Sequence, residues 1–169
     1  MDCFEALLGR RSIRKYEKRD VPEEVIQDIL KAAMAAPSAG NQQPWHFVVI
    51  RDRGLLDAIP EVHPHAVMVR EAPAAIAVCA DLNLEKHAGY WVQDLSAATQ
   101  NLLVAAHAKG LGAVWLGVYP RQPREQALGR LLRLPETVRT LSLVVLGHPA
   151  EHKRPADRYD SGRVHWDGW

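Results

Sequence analysis

The stretch AGYWVQDLSAATQNLLVAAHAKG, residues 88 to 110, narrows the possible folds more than any other part of this chain. It contains no proline, and its apolar residues recur at helical spacing, which predicts a helix over 88–109, about 22 residues and roughly 33 Å long. Trp91, Leu95, Ala98, Leu102 and Ala105 form one stripe, and Val92, Leu103 and Ala106 form another. A helix that is apolar on two sides has little face to give to solvent, so it belongs at the centre of the molecule. Lys109 and Gly110 supply a favourable C-terminal pair.

The remaining elements are read as what can lie against that helix. AAIAVCA, 74–80, is continuously apolar and reads as a strand buried on both faces. WHFVVI after residue 44, GAVWLGV from 112 and TLSLVVLG up to 147 read as three more strands. Residues 2 to 9 make a short amphipathic helix with Phe4, Leu7 and Leu8 on one side. VPEEVIQDILKAAMAAPS is a second helix: Pro22 suits its first turn, Glu23 and Glu24 complement its positive end, and Val25, Ile29, Leu30 and Ala33 recur at helical spacing up to Pro37. Residues 51 to 72 are expected to carry one or two short helices broken by Pro60 and Pro64, and PREQALGRLL a surface helix. No repeat or linker divides the chain, so residues 1–169 are expected to form one domain with helices on both faces of one sheet, three layers in all. The tail, 147–169, lacks periodicity yet carries Tyr159, Trp166 and Trp169. Rings of that size at a polar terminus call for an apolar surface, and a second subunit is the expected one.

Composition excludes several classes. No apolar run reaches the roughly 18 residues of a membrane helix, and MDCFEALLGR is too acidic for a secretory signal, so no membrane partner is expected. Two cysteines make no disulfide framework and point to a cytoplasmic protein. His63 and His65 lie in a loop with an intervening proline and lack further ligands at metal spacing, so no metal is indicated. With 21 Lys plus Arg against 20 Asp plus Glu, the chain lacks the basic excess of a nucleic-acid binder. Trp91, Trp115 and Met68 read as packing residues, Cys79 as an inert buried thiol, and nothing brings Asp81 and His87 together as an acid–base pair.

Against that balance, RRSIRKY at 10–16 is a local concentration of charge. In an extended segment Arg10, Ser12 and Arg14 share one side, an arrangement suited to a terminal phosphate. There is neither a GxGxxG nor a P-loop. The second polar cluster is PSAGNQQPW, 37–45, whose small residues let a planar ligand approach the backbone, while Asn41 offers both donor and acceptor.

RRSIRKY, a helix, and then PSAGNQQPWHFVV at this separation resemble the FMN-dependent nitroreductase family. The resemblance continues through EAPAAIAVCAD, VQDLSAATQNLLVAAHAKGLGAVWLG and DRYDSGRVHWDGW, over essentially the whole chain. It implies an α+β fold with a mixed, mainly antiparallel sheet, in an intertwined homodimer with two FMN sites between the subunits. By resemblance, Arg10, Arg11, Ser12 and Arg14 grip the FMN phosphate, joined by Arg158 from the tail. Pro37, Ser38, Ala39 and Asn41 border the ring and ribityl chain of the partner's flavin. Val114, Trp115, Leu116 and Gly117 form the strand end beneath the isoalloxazine, where a backbone N–H near Leu116 faces flavin N5. NAD(P)H is the implied electron donor, passing hydride through N5 in a ping-pong cycle to a nitroaromatic, quinone or similar small-molecule acceptor, with no catalytic side chain. Relatives of the fold also carry out reductive dehalogenation or ring oxidation, and a non-catalytic FMN-binding or storage protein is the remaining alternative. Two positions depart from the family pattern. Ala156 and Val67 stand where many relatives have lysine, and the second bears on how negative charge near flavin N1 is stabilised.

Overall fold

The continuous run of small and β-branched residues in AAIAVCAD lets layers close on both of its faces, and it forms the strand around which everything else is arranged. The computed structural model describes all 169 residues. Four strands, β1 (Trp45–Ile50), β2 (Ala74–Asp81), β3 (Gly112–Gly117) and β4 (Val138–Gly147), form one sheet in the order β1-β2-β4-β3. Every pairing among them is antiparallel, with Ile76 opposite Val144 and Leu116 opposite Leu143, and a register shift at Val78/Cys79. The parallel component of the expected mixed sheet is an isolated bridge, Ser12 to Ala113, on the outer edge of β3.

Five helices cover the sheet: α1 (Cys3–Gly9), α2 (Glu23–Met34), α3 (Arg53–Val62), α4 (Trp91–Ala108) and α5 (Gln122–Leu131). Alternation along β2 divides the core in two, as a pleated strand requires. Ala74, Ile76, Val78 and Ala80 face α2 and α4, where they meet Ile26, Ile29, Leu95, Leu102 and Leu103. Ala75, Ala77 and Cys79 face α3 and α5, with Leu56, Ile59 and Leu128. Leu95 and Leu102 are fully buried, each contributing about 1.5–3 kcal/mol. The central position expected for α4 is thus the observed one.

Two boundaries and one buried face differ from the sequence expectation. α4 has 18 residues and begins at Trp91, because the chain before it turns through Gly89 at φ +85°. Pro60 lies inside α3 and does not break it. Its missing N–H and ring clash cost about 3 kcal/mol in an unsupported helix, but Leu56 and Ile59 are fully buried on the same helix and hold it to the sheet. The break falls just before Pro64, at His63. On α1 it is Ala6 that is buried, while Phe4, Leu7 and Leu8 are exposed.

The two ends of the chain are laced together. Residues 15–17 run beside 148–150 through Glu17 N–H to His148 O and Ala150 N–H to Lys15 O, both 2.9 Å. Lys153 Nζ donates to Ser12 O at 2.7 Å, and Arg11 Nε donates to Arg154 O at 3.0 Å. Beyond residue 158 the tail lies open: Tyr159, Trp166 and Trp169 are exposed, with Trp169 stacked on His165 at 4.5 Å.

Candidate functional site

β3 is an edge strand, and its outer side organises the site. Ile13 N–H donates to Ala113 O there at 3.0 Å, while Val118 N–H points the other way, to Leu141 O of β4. Backbone groups alternate in direction along a strand, so those of Ala113, Trp115 and Gly117 turn outward and those of Leu116 turn into the sheet. The outward amides near Leu116 are therefore the ones on either side of it, those of Trp115 and Gly117.

The connector 10–16 lies along this edge and distributes its charges to two places. At the end near Ser12, Arg10, Arg11 and Arg158 form a cationic corner. Burial pushes the Arg10 guanidinium below its ordinary value, and the charges of Arg11 and Arg158 push it further. Its Nε is buried with no acceptor within hydrogen-bond reach. A buried donor in a field of like charge is costly by itself and is satisfied by an anion. His107, at the end of α4, joins the corner beside Gly9, and its pKa is lowered by burial and then by Arg10 and Arg11. Sequence reading missed His107, which lies in the last turn of α4, far along the chain from the basic run.

Arg14 stands at the other end, beside Trp115. It lines a cavity of about 550 Å³ with His63, His65, Val67, Met68, Leu116, Gly117 and Arg124. No carboxylate is among these residues. The carbonyl of Gly117 accepts two hydrogen bonds there, from His63 Nε2 at 3.0 Å and from Arg124 at 2.6 Å. His63 is 1% exposed and its Nδ1 has no partner; burial, above all, holds its pKa below the ordinary range. Beyond its two chain neighbours nothing lies within 4 Å of a Cβ built on Gly117, so packing alone does not demand glycine there. Trp115 and Met68 line this cavity and also pack against the two cores, so the packing role read from sequence is half of what they do. Trp91 is a core residue, edge-on to Tyr119 at 4.8 Å.

None of Pro37, Ser38, Ala39 and Asn41, in the loop 37–44, lines the cavity. Gly40, Asn41 and Gln43 all have positive φ, +52°, +54° and +47°, a strained run of the kind found at functional loops. A buried network holds it. Asp94 of α4, 4% exposed, accepts from Ala39 N–H at 2.9 Å and from Gln42 Nε2 at 2.6 Å. Gln42 Oε1 in turn accepts from the backbone N–H groups of Lys86 and His87 at 2.7 and 3.0 Å. The His87 ring covers Gly40, where a Cβ would collide with it. His87 therefore serves the loop, and Asp81 caps the turn at Asn83. Asp94 and Gln42 were absent from the sequence reading. The available signal was a carboxylate three residues after Trp91, on the apolar stripe of α4.

A cationic corner joined along one strand edge to a carboxylate-free cavity agrees with the family resemblance, and comparison with known proteins decides it. The sequence profile of the Nitroreductase family matches residues 7–68 and 61–148. This chain belongs to the nitroreductase family. Among its relatives is a protein of Methanothermobacter thermautotrophicus whose name pairs NADH dehydrogenase with NAD(P)H nitroreductase, 54% identical over all of this chain and 88% of its own length. An FMN-dependent nitroreductase of Clostridium difficile superposes with a TM-score of 0.91 at 28% identity, covering 98% of this chain and 99% of that one. A Desulfovibrio desulfuricans protein solved in complex with FMN superposes at 0.86 with 33% identity, covering 98% and 96%. The nitroreductase fold expected for the chain is the observed one, and no helix is long and apolar enough to cross a membrane.

Proposed function

We infer that this nitroreductase-family protein binds FMN and uses NAD(P)H to reduce nitroaromatic, quinone or related acceptors, as a homodimer. The observation that carries the reading is the buried, acceptor-less Nε of Arg10 among Arg11, Arg158 and His107, connected by the β3 edge to the Gly117 cavity. The residues fit the cofactor. Arg10, Arg11 and Arg158 would hold the phosphate, with the Ser12 hydroxyl beside them. Arg14 would sit towards the ring, and the outward amide of Gly117, next to Leu116, would meet the isoalloxazine edge. When bound, the flavin supplies the redox chemistry, taking hydride from the nicotinamide and delivering it to the acceptor.

The chain's own residues bind and orient. Arg11 ties the phosphate corner to the tail through Arg154 O, so the anion site is built from both ends of the chain. The Asp94–Gln42 network presents Pro37, Ser38, Ala39 and Asn41 on a surface remote from this cavity, which suits their contacting the partner's flavin. Phe4, Leu7, Leu8, Tyr159, Trp166 and Trp169 are exposed in the single chain and are the apolar area a second subunit would cover. The test is direct. The purified protein should be yellow and release FMN, not FAD, on denaturation, and should oxidise NAD(P)H when a nitroaromatic acceptor is supplied. Tightly bound FMN without acceptor-dependent oxidation would identify a carrier instead.

A further inference from the structure

We propose that Arg124 is a tuning residue of this site, holding a fixed positive charge from α5 beside Gly117 and so making the bound flavin easier to reduce. The inference rests on the FMN reading above and extends it to a residue outside both sequence motifs.

Val67 and Arg124 line the same cavity, together with Leu116 and Gly117. Arg124 Nη1 is anchored on Gly117 O at 2.6 Å, which fixes the guanidinium at the ring end of the site. Of the charges nearby, Glu125 pairs with Arg139 and Arg70 with Glu61, while Arg14, which lines the same cavity, is in no ion pair either. Arg124 takes part in no ion pair, and no carboxylate lines the cavity, so its charge is uncompensated there. His63, the other donor to Gly117 O, uses Nε2–H for that bond and is neutral when its buried Nδ1 carries no proton. The pincer therefore combines one neutral donor, which positions, with one charged donor, which also polarises. Two donors from different helices restrain the strand end at Gly117, whose amide faces outward.

Reduction adds electrons to the isoalloxazine, and a fixed cation beside it favours the more negative form. By linkage, whatever binds reduced flavin more tightly than oxidised flavin raises its potential by the same free energy. The experiment uses the FMN-loaded protein with Arg124→Gln and Arg124→Lys, following the flavin potential by equilibration with redox dyes. For Arg124→Gln the affinity for reduced FMN should fall about tenfold relative to oxidised FMN, a shift of about −30 mV for a two-electron couple. Arg124→Lys should keep most of the wild-type value, and the ratio of FMN to riboflavin affinity should stay unchanged in both. Melting of the flavin-free variants checks that the strand end is still folded. An unchanged potential in Arg124→Gln, or equal shifts in Gln and Lys, would overturn the proposal while leaving FMN binding intact. A wild-type protein without FMN would instead remove the functional reading on which the proposal stands.

Discussion

Replacing Asp94 tests whether the loop at 37–44 is held as its geometry requires. The carboxylate is 4% exposed and accepts from Ala39 N–H and Gln42 Nε2. Asp94→Ala leaves both donors without an acceptor. Hydrogen bonds to a charged group are worth about 1.5–3 kcal/mol each, and two of them, one to the half-buried Ala39, put the loss at about 3–5 kcal/mol. Asp94→Asn separates the contributions. Its carbonyl can still accept from Ala39, but its NH2 opposes the Gln42 amide. If Gln42 flips to accommodate it, Lys86 and His87 lose their acceptor, so the variant should lose about 1–3 kcal/mol, the cost of one unsatisfied buried group. Denaturant unfolding of the flavin-free protein measures both losses, and amide exchange at Ala39, Lys86 and His87 reports whether the loop has come free. With Gln42→Ala and the double variant, the cycle should give a coupling of more than about 0.5 kcal/mol. A loss below about 1 kcal/mol for Asp94→Ala, or a large loss with those three amides still protected, would refute the assignment.

Three further outcomes follow from the site. Arg10→Ala and Arg158→Ala should each weaken FMN by about tenfold to a hundredfold, one charge-assisted bond, and riboflavin far less, whereas Arg14→Ala, facing the cavity, should weaken both alike; parallel titrations with the two flavins decide. His63 and His107 are both held below the ordinary 6.5, so the folded chain binds fewer protons than the unfolded one below that pH. Stability of the flavin-free protein should be fully present above about pH 6.5 and decline as pH falls through the depressed values, and a denaturation midpoint that rises between pH 7 and 5.5 would contradict it. Removing residues 159–169 should weaken dimer and flavin retention together, since three rings able to bury about 150–250 Å² each are exposed in the single chain; a truncated protein that sediments as a dimer and stays yellow would place their partner elsewhere.

The main architecture was readable because it rests on short-range periodicity. The two-sided stripe of 88–109 and the unbroken AAIAVCA placed the central helix and strand without reference to the rest. Pro60 misled because propensity sees only the missing N–H, and the packing of Leu56 and Ile59 that outweighs it is long-range. The same limit hid much of the site. RRSIRKY and VWLG were visible as motifs, but the division of the basic run into an Arg10 corner and an Arg14 cavity depends on one bridge, Ser12 to Ala113. His107, His63, Arg124 and Asp94 come from three helices, α3, α4 and α5, and only Asp94 carried a local sign, its charge on an apolar stripe.

The lacing of residues 11–17 to 148–156 has a consequence for how the protein is made. Chains emerge from the ribosome amino end first, and structure can form as they do. Arg10 and Arg11 appear long before the carbonyls that orient Arg11, which belong to Arg154 and Ala156, and Arg158 comes later still. The anion corner therefore does not exist on a nascent chain, however long it has been waiting. A growing chain should stay colourless until residues 154–158 have emerged, when the last strand can close against β2 and β3 and the two segments can meet.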